Sequence, residues 1–237
     1  MLHDPTYGGG LGFCQEALSG LLPPGYHGPL VVALDSNVLI DLQLYGAALM
    51  SDEPLPDSVA KDKAYAADLA GLVDLLNLWL LRDIRFVVTP RSRTDAKRVT
   101  KPEVLERRLA SIDALALSLA FQTEDWSGQA PSDAPLPVAA GTETRLPVGA
   151  DRELVLEAQA VGAHAFLTRD RQVLKRTALS GRQMTVTSPS RLTSDLVRGG
   201  VQPFFGGTCG GDGCPYGDWS LPAPDMGKWA GVLSVLE

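Results

Sequence analysis

The chain has 237 residues, of which 45% are hydrophobic and 21% charged, with a net charge of −7 at pH 7; this composition is typical of a globular protein and excludes a disordered one. The length allows one large domain, or one ordinary domain with extensions. The negative charge excludes a surface that is basic throughout. It does not exclude an enzyme of nucleic acids, because clustered carboxylates that hold cations contribute to such a total.

Cysteine usage and hydropathy indicate the compartment. Cys14, Cys209 and Cys214 are odd in number and sparse, which argues against the disulfide framework of a secreted domain. No apolar run approaches the roughly 20 residues of a membrane helix, and the N-terminus lacks a basic region that leads into an apolar stretch. We therefore expect a cytoplasmic protein with no membrane partner.

The first strong pattern in chain order is the apolar stretch at residues 31–34, which stops at Asp35. Before it, residues 1–28 are predicted to form an irregular arm with one short helix around residues 13–22. Because the stretch has no polar residue, it indicates a strand covered on both faces, as in a parallel sheet flanked by helices. Ligands of such open sheets bind beyond the carboxyl ends of the strands, so Asp35 is a candidate site residue.

Downstream, helical and strand patterns alternate. Repeated βα units favour a parallel sheet, and we predict an α/β domain over residues 29–198. The loop at residues 126–148 is predicted to be functional or disordered. Residues 199–237 show no convincing period and are predicted to be a Gly/Pro-rich extension, wrapped on the domain or partly mobile. The predicted strands are residues 84–89, 164–168 and 184–187; the predicted helices begin near Tyr65 and Pro102 and cover residues 151–161, 172–179 and 189–198.

Four aspartates occupy comparable positions in these units. Asp35 ends the first strand, Asp95 follows the second, Asp151 opens a helix and Asp170 follows a later strand. Two carboxylates ~4 Å apart repel by about 4 kcal/mol at an effective dielectric near 20, so several of them need a cation to stay ionised together. All-oxygen sites suit Mg²⁺ or Mn²⁺. The pattern therefore predicts metal-dependent hydrolysis of a phosphodiester.

Each aspartate also has a structural interpretation. Asp35 and Asp170 could cap helices, because Asp at an N-cap is common. Asp151 would interact well with a helix dipole whether or not it binds metal. Asp41, on the helix that follows the first strand, is interpreted as a solvated or hydrogen-bonded residue rather than a ligand.

Short polar side chains beside the acids are candidates for supporting roles. Asn37 and Thr168 could orient a ligating carboxylate or a water by hydrogen bonding, and helix capping explains both equally well. His164 is expected to pack at the start of a strand and is assigned no chemical role.

Basic residues follow the second predicted strand and flank Asp170. They could contact an RNA backbone, and such binding weakens steeply with salt. The alternative is a solvated helix face with Glu103 and Glu106 as partners. The candidate RNA-backbone residues are Arg91, Arg93, Arg98, Arg169 and Arg171.

The two cysteines of Cys209-Gly-Gly-Asp-Gly-Cys214 supply half of a zinc site, which normally needs four ligands. We interpret the segment as a glycine-rich loop with two free thiols. A zinc site shared across a dimer is the alternative.

Three segments, in order and spacing, resemble the PIN-domain nucleases, a family that includes VapC-type toxin ribonucleases. They are Leu34-Asp-Ser-Asn-Val-Leu-Ile-Asp41, residues 151–170, and Val186-Thr-Ser-Pro-Ser-Arg-Leu192. In that family an Asp ends the first strand, another opens the helix before the fourth strand, and Thr-x-Asp follows that strand. The resemblance spans about residues 30–197.

The resemblance implies a fold, an activity and partners. The fold would be a three-layer α/β/α sandwich with a central parallel sheet, and the activity metal-dependent endoribonucleolytic cleavage of RNA with Mg²⁺ or Mn²⁺. A homodimer and, for a toxin, an antitoxin protein would be the partners. The metal ligands would be Asp35, Asp95, Asp151 and Asp170.

One position departs from the family pattern. The second acid is usually a Glu early in the helix after the second strand, whereas this chain has Asp95, with Glu103 as the fallback. Asp is one methylene shorter, so it would sit closer to the metal or act through water. If the second acid is lost, the alternative is a catalytically impaired RNA-binding or scaffold protein. The same acidic cluster could also support a structure-selective DNA nuclease of the same fold. A phosphatase of the haloacid dehalogenase type is disfavoured, because its second Asp is replaced by Asn37.

Overall fold

The strands form two separate sheets in the computed structural model, which describes residues 12–15, 18–51, 53–121, 146–176, 184–201 and 226–236. The main sheet has four parallel strands in the order β4-β3-β5-β6. A small antiparallel sheet pairs β1 with β2. The strands are β1 (Phe13–Cys14), β2 (His27–Gly28), β3 (Leu30–Leu34), β4 (Ile84–Val88), β5 (Ala165–Leu167) and β6 (Thr185–Thr187).

Helices separate the strands of the main sheet. The strands and helices predicted for residues 29–198 are present, with small shifts at their ends, and residues 177–179 of one predicted helix lie outside the described residues. The short helices α2 and α4 were not predicted. The helices are α1 (Ser36–Met50), α2 (Asp57–Ala60), α3 (Lys63–Trp79), α4 (Pro90–Ala96), α5 (Pro102–Phe121), α6 (Ala150–Ala160), α7 (Arg171–Arg176), α8 (Pro189–Arg198) and α9 (Met226–Leu236).

Alternate residues of β3 enter two hydrophobic cores on opposite faces of the sheet. Leu30, Val32 and Leu34 join a core built with α1, α3, α5, α8 and α9. Val31 and Ala33 join a second core, built with α6 and α7. Because side chains alternate between the faces of a strand, helices cover both faces, which explains why β3 is apolar throughout. The fold is α/β with a parallel sheet flanked by helices, compatible with a three-layer sandwich.

The strand order creates a switch point between β3 and β5. The chain leaves β3 through α1, whose Val38 and Leu39 pack in the first core. It leaves β5 towards α7, whose Val173 packs in the second core. The two connections therefore depart to opposite faces of the sheet. Open α/β sheets bind ligands at the carboxyl edge in this kind of position.

The N-terminal arm differs from the predicted helix at residues 13–22. Phe13 and Cys14 form β1, and Leu18 begins a turn in which its carbonyl accepts hydrogen bonds from the N–H groups of Leu21 and Leu22. Phe13, Leu18 and Leu22 are buried in the first core. The apolar residues whose spacing suggested a helix lie instead in a short strand and a turn, and their side chains pack against the domain.

The C-terminal extension contains a helix that the sequence pattern did not indicate. Helix α9 contacts α5 and α1, and Lys228 donates a hydrogen bond to the carbonyl of Trp79 at 3.0 Å. Gly227 and Gly231 lie within α9, and each glycine costs about 1 kcal/mol relative to alanine. Packing against α5 and α1 thus stabilises a helix that the intrinsic helix propensity of its residues does not predict. Residues 122–145, most of the predicted loop, and Cys209 and Cys214 lie outside the described residues.

Helix α3 and the two residues after it are also long and apolar enough, by length and composition alone, to cross a membrane (Lys63–Leu81). In this fold Leu69, Leu72 and Leu75 of the same helix are almost fully buried in the protein interior.

Gly71 determines how closely α3 approaches α8. A Cβ at this position would lie 2.6 Å from the backbone N and Cα of Ser190. We expect Gly71→Ala to destabilise the protein by about 1–3 kcal/mol in denaturant unfolding, because the two helices must separate. The control is Ala70→Ser at the exposed neighbouring position, with an expected effect within about 0.5 kcal/mol. A Gly71→Ala protein as stable as the wild type would contradict this close approach.

Candidate functional site

Four polar residues directly follow the four parallel strands and line up at the carboxyl edge of the sheet. In the strand register, Leu34 is paired with Val88 and Leu167, and Leu167 with Thr187. The hydrogen-bond ladder continues beyond β3, because the Asp35 N–H donates to the Leu167 carbonyl at 3.0 Å. Asp35 therefore lies at the switch point, with a threonine on each side. The four residues are Thr89, Asp35, Thr168 and Ser188.

The Asp35 carboxyl group is buried and is held by two side chains. Asp35 is 7% exposed, and its Oδ2 accepts hydrogen bonds from Thr168 Oγ1 at 2.5 Å and Asn37 Nδ2 at 2.6 Å. Asp35 occupies the N-cap position of α1, but its side chain makes no capping hydrogen bond. The capping interpretation of Asp35 is therefore wrong, and the carboxyl group faces the carboxyl edge of the sheet.

Asn37 and Thr168 also bind each other and the loop that follows β5. Asn37 Nδ2 donates to Thr168 Oγ1 at 3.1 Å, and Asn37 Oδ1 accepts from the Arg169 N–H at 3.1 Å. Thr168 Oγ1 accepts from the Asp170 N–H at 3.0 Å. Asn37 and Thr168 therefore hold the Asp35 carboxyl group by hydrogen bonds, and their supporting role at a ligand site stays a prediction.

The aspartates are close enough to influence each other's ionisation. Burial is the main reason why the pKa of Asp35 is raised to about 6. The hydrogen bond from Thr168 lowers this pKa, whereas the negative charges of Asp151 and Asp95 raise it. The pKa of Asp151 is also raised, first by burial and then by the charges of Asp170 and Asp95. The fold therefore brings all four predicted acids into one electrostatic neighbourhood.

Asp95 lies on α4 between two arginines. Its Oδ1 is 3.7 Å from Arg91 Nε and 3.4 Å from Arg98 Nη2, and its Oδ2 accepts from Ser36 Oγ at 3.4 Å. Asp95 Oδ1 is buried and has no hydrogen-bond partner. The alternative second acid, Glu103, is exposed in the first turn of α5.

Asp170 and Asp151 lie at the starts of helices. Asp170 Oδ1 accepts from the N–H groups of Gln172 at 2.6 Å and Val173 at 3.3 Å, so Asp170 caps α7, as its structural interpretation predicted. Both bonds end on one oxygen of the carboxylate. Asp151 lies in the first turn of α6, after a glycine N-cap.

The donor set fits a hydrated divalent ion better than a tightly chelated one. Among the described residues, no three His, Cys, Asp or Glu side chains lie close enough to form a ready metal-binding group. The available donors are all oxygens, and two buried oxygens at this edge, Asp95 Oδ1 and Thr89 Oγ1, have no hydrogen-bond partner. Mg²⁺ keeps several of its waters and needs only one or two carboxylates. Asp35 and Asp95 could thus hold such an ion directly or through water.

The predicted RNA-backbone arginines are all paired with acids, and only two of them are mostly exposed. Arg98 and Arg171 are 63% and 71% exposed, whereas the other three are between 20% and 25% exposed. Glu103 and Glu106 are not the acids in these pairs. The pairs are Arg91 with Asp95 and Glu153, Arg93 with Asp113, Arg98 with Asp95, Arg169 with Asp41, and Arg171 with Asp62.

The sequence patterns did not single out two residues near the site, the buried Glu157 and the partly buried Tyr65. Glu157 Oε2 accepts from the Arg91 N–H at 2.8 Å and so joins α6 to α4. Tyr65 donates its hydroxyl to Asp41 Oδ1 at 2.6 Å, which confirms Asp41 as a hydrogen-bonded residue. Glu157 sits on the buried side of a helix, and an acid at a core position of an amphipathic helix is the one signal that could have drawn attention to it.

His164 is a packed residue, as predicted. Its Nδ1 accepts from the Val31 N–H at 3.1 Å, and its ring lies against Tyr26 with 4.6 Å between ring centroids. Burial lowers the pKa of His164 to about 4, so the imidazole is neutral at pH 7.

Asp35→Asn should make the protein more stable above pH 6 in the absence of divalent metal. The Asp35 pKa is about 6 in the folded protein against a usual value of 3.8, so the folded state holds the proton to higher pH. Stability therefore falls as the pH rises from about 4 to about 6, and the difference corresponds to at most roughly 3 kcal/mol.

Denaturant unfolding between pH 4 and pH 8, in EDTA, measures this effect. The Asp35→Asn protein should show a smaller decrease across that window, because the raised pKa of Asp151 still contributes, while Asp57→Asn, at an exposed position, should keep the full decrease. Equal pH dependence in the wild type and Asp35→Asn would show that the carboxyl group is not buried as described.

No family model, curated protein or solved structure matches this chain. The chemistry of the site is therefore inferred from its own residues and their geometry.

Proposed function

We propose that the chain is a metal-dependent endoribonuclease of the PIN-domain type, with Asp35, Asp95, Asp151 and Asp170 around a Mg²⁺ or Mn²⁺ ion. The observation that carries this proposal is the buried Asp35 carboxyl group, at the switch point of a parallel sheet, whose pKa is raised by burial and by two neighbouring acids. Strongly perturbed acids in such a position are typical of functional sites.

Electrostatics supports a cation at this position. With Asp35, Asp95 and Asp151 all ionised, their mutual repulsion adds to the cost of burying Asp35. A divalent ion would reverse both effects, because it favours the ionised carboxylates. When bound, such an ion would supply a hydroxide nucleophile at neutral pH and polarise the phosphate.

The protein's own residues would position the reacting groups. Asn37 and Thr168 hold Asp35 Oδ2 from two sides, which leaves Oδ1 of the same carboxylate for an ion or its waters. The loop after β5 places Asp170 beside this edge of the sheet through its N–H bond to Thr168. Pre-organised ligands of this kind reduce the reorganisation needed when substrate binds.

Of the five candidate arginines, Arg98 and Arg171 are the best placed to contact an RNA backbone. Both are mostly exposed, and they belong to the segments that carry Asp95 and Asp170. Arg171 is 3.9 Å from the half-exposed Asp62, and such surface pairs contribute little, so a phosphate could replace the partner. Arg91, Arg93 and Arg169 are more enclosed, at 20–25% exposure, and are paired with Asp95, Asp113 and Asp41.

The second candidate function is a catalytically impaired RNA-binding protein. The two arginines beside Asp95 favour it, because they partly neutralise the acid that replaces the usual Glu. A structure-selective DNA nuclease would use the same acids. A homodimer and an antitoxin partner belong to the proposal through the family resemblance.

Mn²⁺ or Mg²⁺ should raise the thermal denaturation midpoint of the wild type in EDTA-treated protein, because the ion binds the folded state. At 100 times its Kd, a ligand stabilises by about 2.7 kcal/mol. The increase should be lost or greatly reduced in Asp35→Asn and retained in Asp57→Asn. An equal increase in all three proteins would mean that the ion binds elsewhere.

Cleavage of labelled single-stranded RNA and DNA, with Mg²⁺, Mn²⁺ or EDTA, tests the activity itself. We expect RNA cleavage that requires the metal and falls by about 100-fold or more in Asp35→Asn, since metal stabilisation of charge is worth several kcal/mol. Unchanged cleavage in this folded variant would refute the proposal. Cleavage of DNA alone would favour the DNA nuclease, and RNA binding without cleavage would favour the impaired protein.

A further inference from the structure

A hydrogen-bond network centred on the buried Asp41 joins α1, α3 and the loop after β5. Asp41 on α1 is 1% exposed and accepts hydrogen bonds from Tyr65 Oη at 2.6 Å and Arg169 Nη2 at 2.8 Å, with a further bond from Arg169 Nε. The Arg169 guanidinium also lies over the Tyr65 ring, with 4.1 Å between Cζ and the ring centroid. One face and two donors of Arg169 are thus committed to these two residues.

Arg169 also binds α1 at a second point, through its backbone. The Arg169 backbone N–H donates to Asn37 Oδ1 at 3.1 Å. The Nδ2 atom of the same Asn37 side chain donates to Asp35 Oδ2 at 2.6 Å. Asn37 and Asp41 are four residues apart on α1 and therefore neighbours on one helix face. The loop after β5 is held to this face by the side chain and the main chain of one residue.

We propose that Arg169 is a positioning residue, anchored by Asp41 and Tyr65, that fixes the Asn37 amide and through it the Asp35 carboxylate. This inference rests on the proposed function, in which Asp35 holds the metal. A bidentate arginine fork has a geometry that lysine cannot reproduce, and a buried ion pair that loses its geometry leaves a poorly compensated charge.

The competing role for Arg169 is the contact with an RNA phosphate that its sequence position suggested. In the structure, two of the five N–H donors of the guanidinium bind Asp41, which leaves three for a phosphate. The two roles predict different kinetics, because a positioning residue acts on the chemical step and a phosphate contact acts on substrate binding.

Kinetics of Arg169→Lys separates the two roles, with Arg198→Lys as the matched control, because Arg198 is 77% exposed and paired with Asp195 on α8. Lysine keeps the charge and loses the fork. Positioning predicts a fall in kcat of about 10–100-fold, the usual effect of residues that orient metal ligands, with KM and the salt dependence of RNA binding unchanged. A raised KM with a smaller salt dependence and an unchanged kcat would overturn the inference.

A measurement without RNA or metal keeps the inference testable if the proposed function fails. In wild-type protein, the Asn37 side-chain NH₂ should exchange slowly with solvent in NMR spectra, because it donates to Asp35 and Thr168. Arg169→Lys and Asp41→Asn should each accelerate this exchange, and the double variant should add little to either. Arg171→Lys should leave the exchange unchanged.

The outcomes of the two measurements are distinct. Absence of cleavage by the wild type, together with faster Asn37 exchange in Arg169→Lys, would refute the nuclease and support the positioning role. Unchanged Asn37 exchange in a folded Arg169→Lys protein would overturn the positioning role whatever the activity.

Discussion

The burial of the Asp35 carboxylate, which costs the group its hydration energy, is the constraint on which the candidate site depends. Asp35 lies 7% exposed at the carboxyl end of a strand that is covered on both faces. Two hydrogen bonds to Oδ2 offset part of the cost. Negative neighbours add to it, and the remaining deficit is what a divalent cation would remove.

The fold keeps this unfavourable group in place by distributing its support over distant segments. Thr168 and Arg169 come from the loop after β5, Asn37 and Asp41 from α1, and Tyr65 from α3. The two connections beside Asp35 leave the sheet on opposite faces, which opens the edge between them. Stability and site chemistry therefore conflict at Asp35, as is common where function requires a strained or destabilised site.

The arginines around the site serve two purposes that their positions in the chain do not distinguish. Arg91 and Arg169 form ion pairs that join α4 to α6 and the loop after β5 to α1, while Arg98 and Arg171 are largely exposed. Arg98 also reduces the negative charge around Asp95. A metal ion would bind more tightly if the negative charge of the acids exceeds the positive charge of the neighbouring arginines, and more weakly if the arginines neutralise the acids.

The sequence by itself determined the covered strand that ends at Asp35, the alternating helices and the polar residues near the acids, because these depend on local periodicity and on the chemistry of single side chains. Only the tertiary structure decided that Asp35 does not cap α1, that Arg169 binds Asp41, and that α9 forms. These outcomes depend on contacts between residues as far apart as Asp35 and Thr168, which are separated by 133 positions. Local patterns carry no record of such pairings, since burial and long-range register are settled only when the whole chain packs.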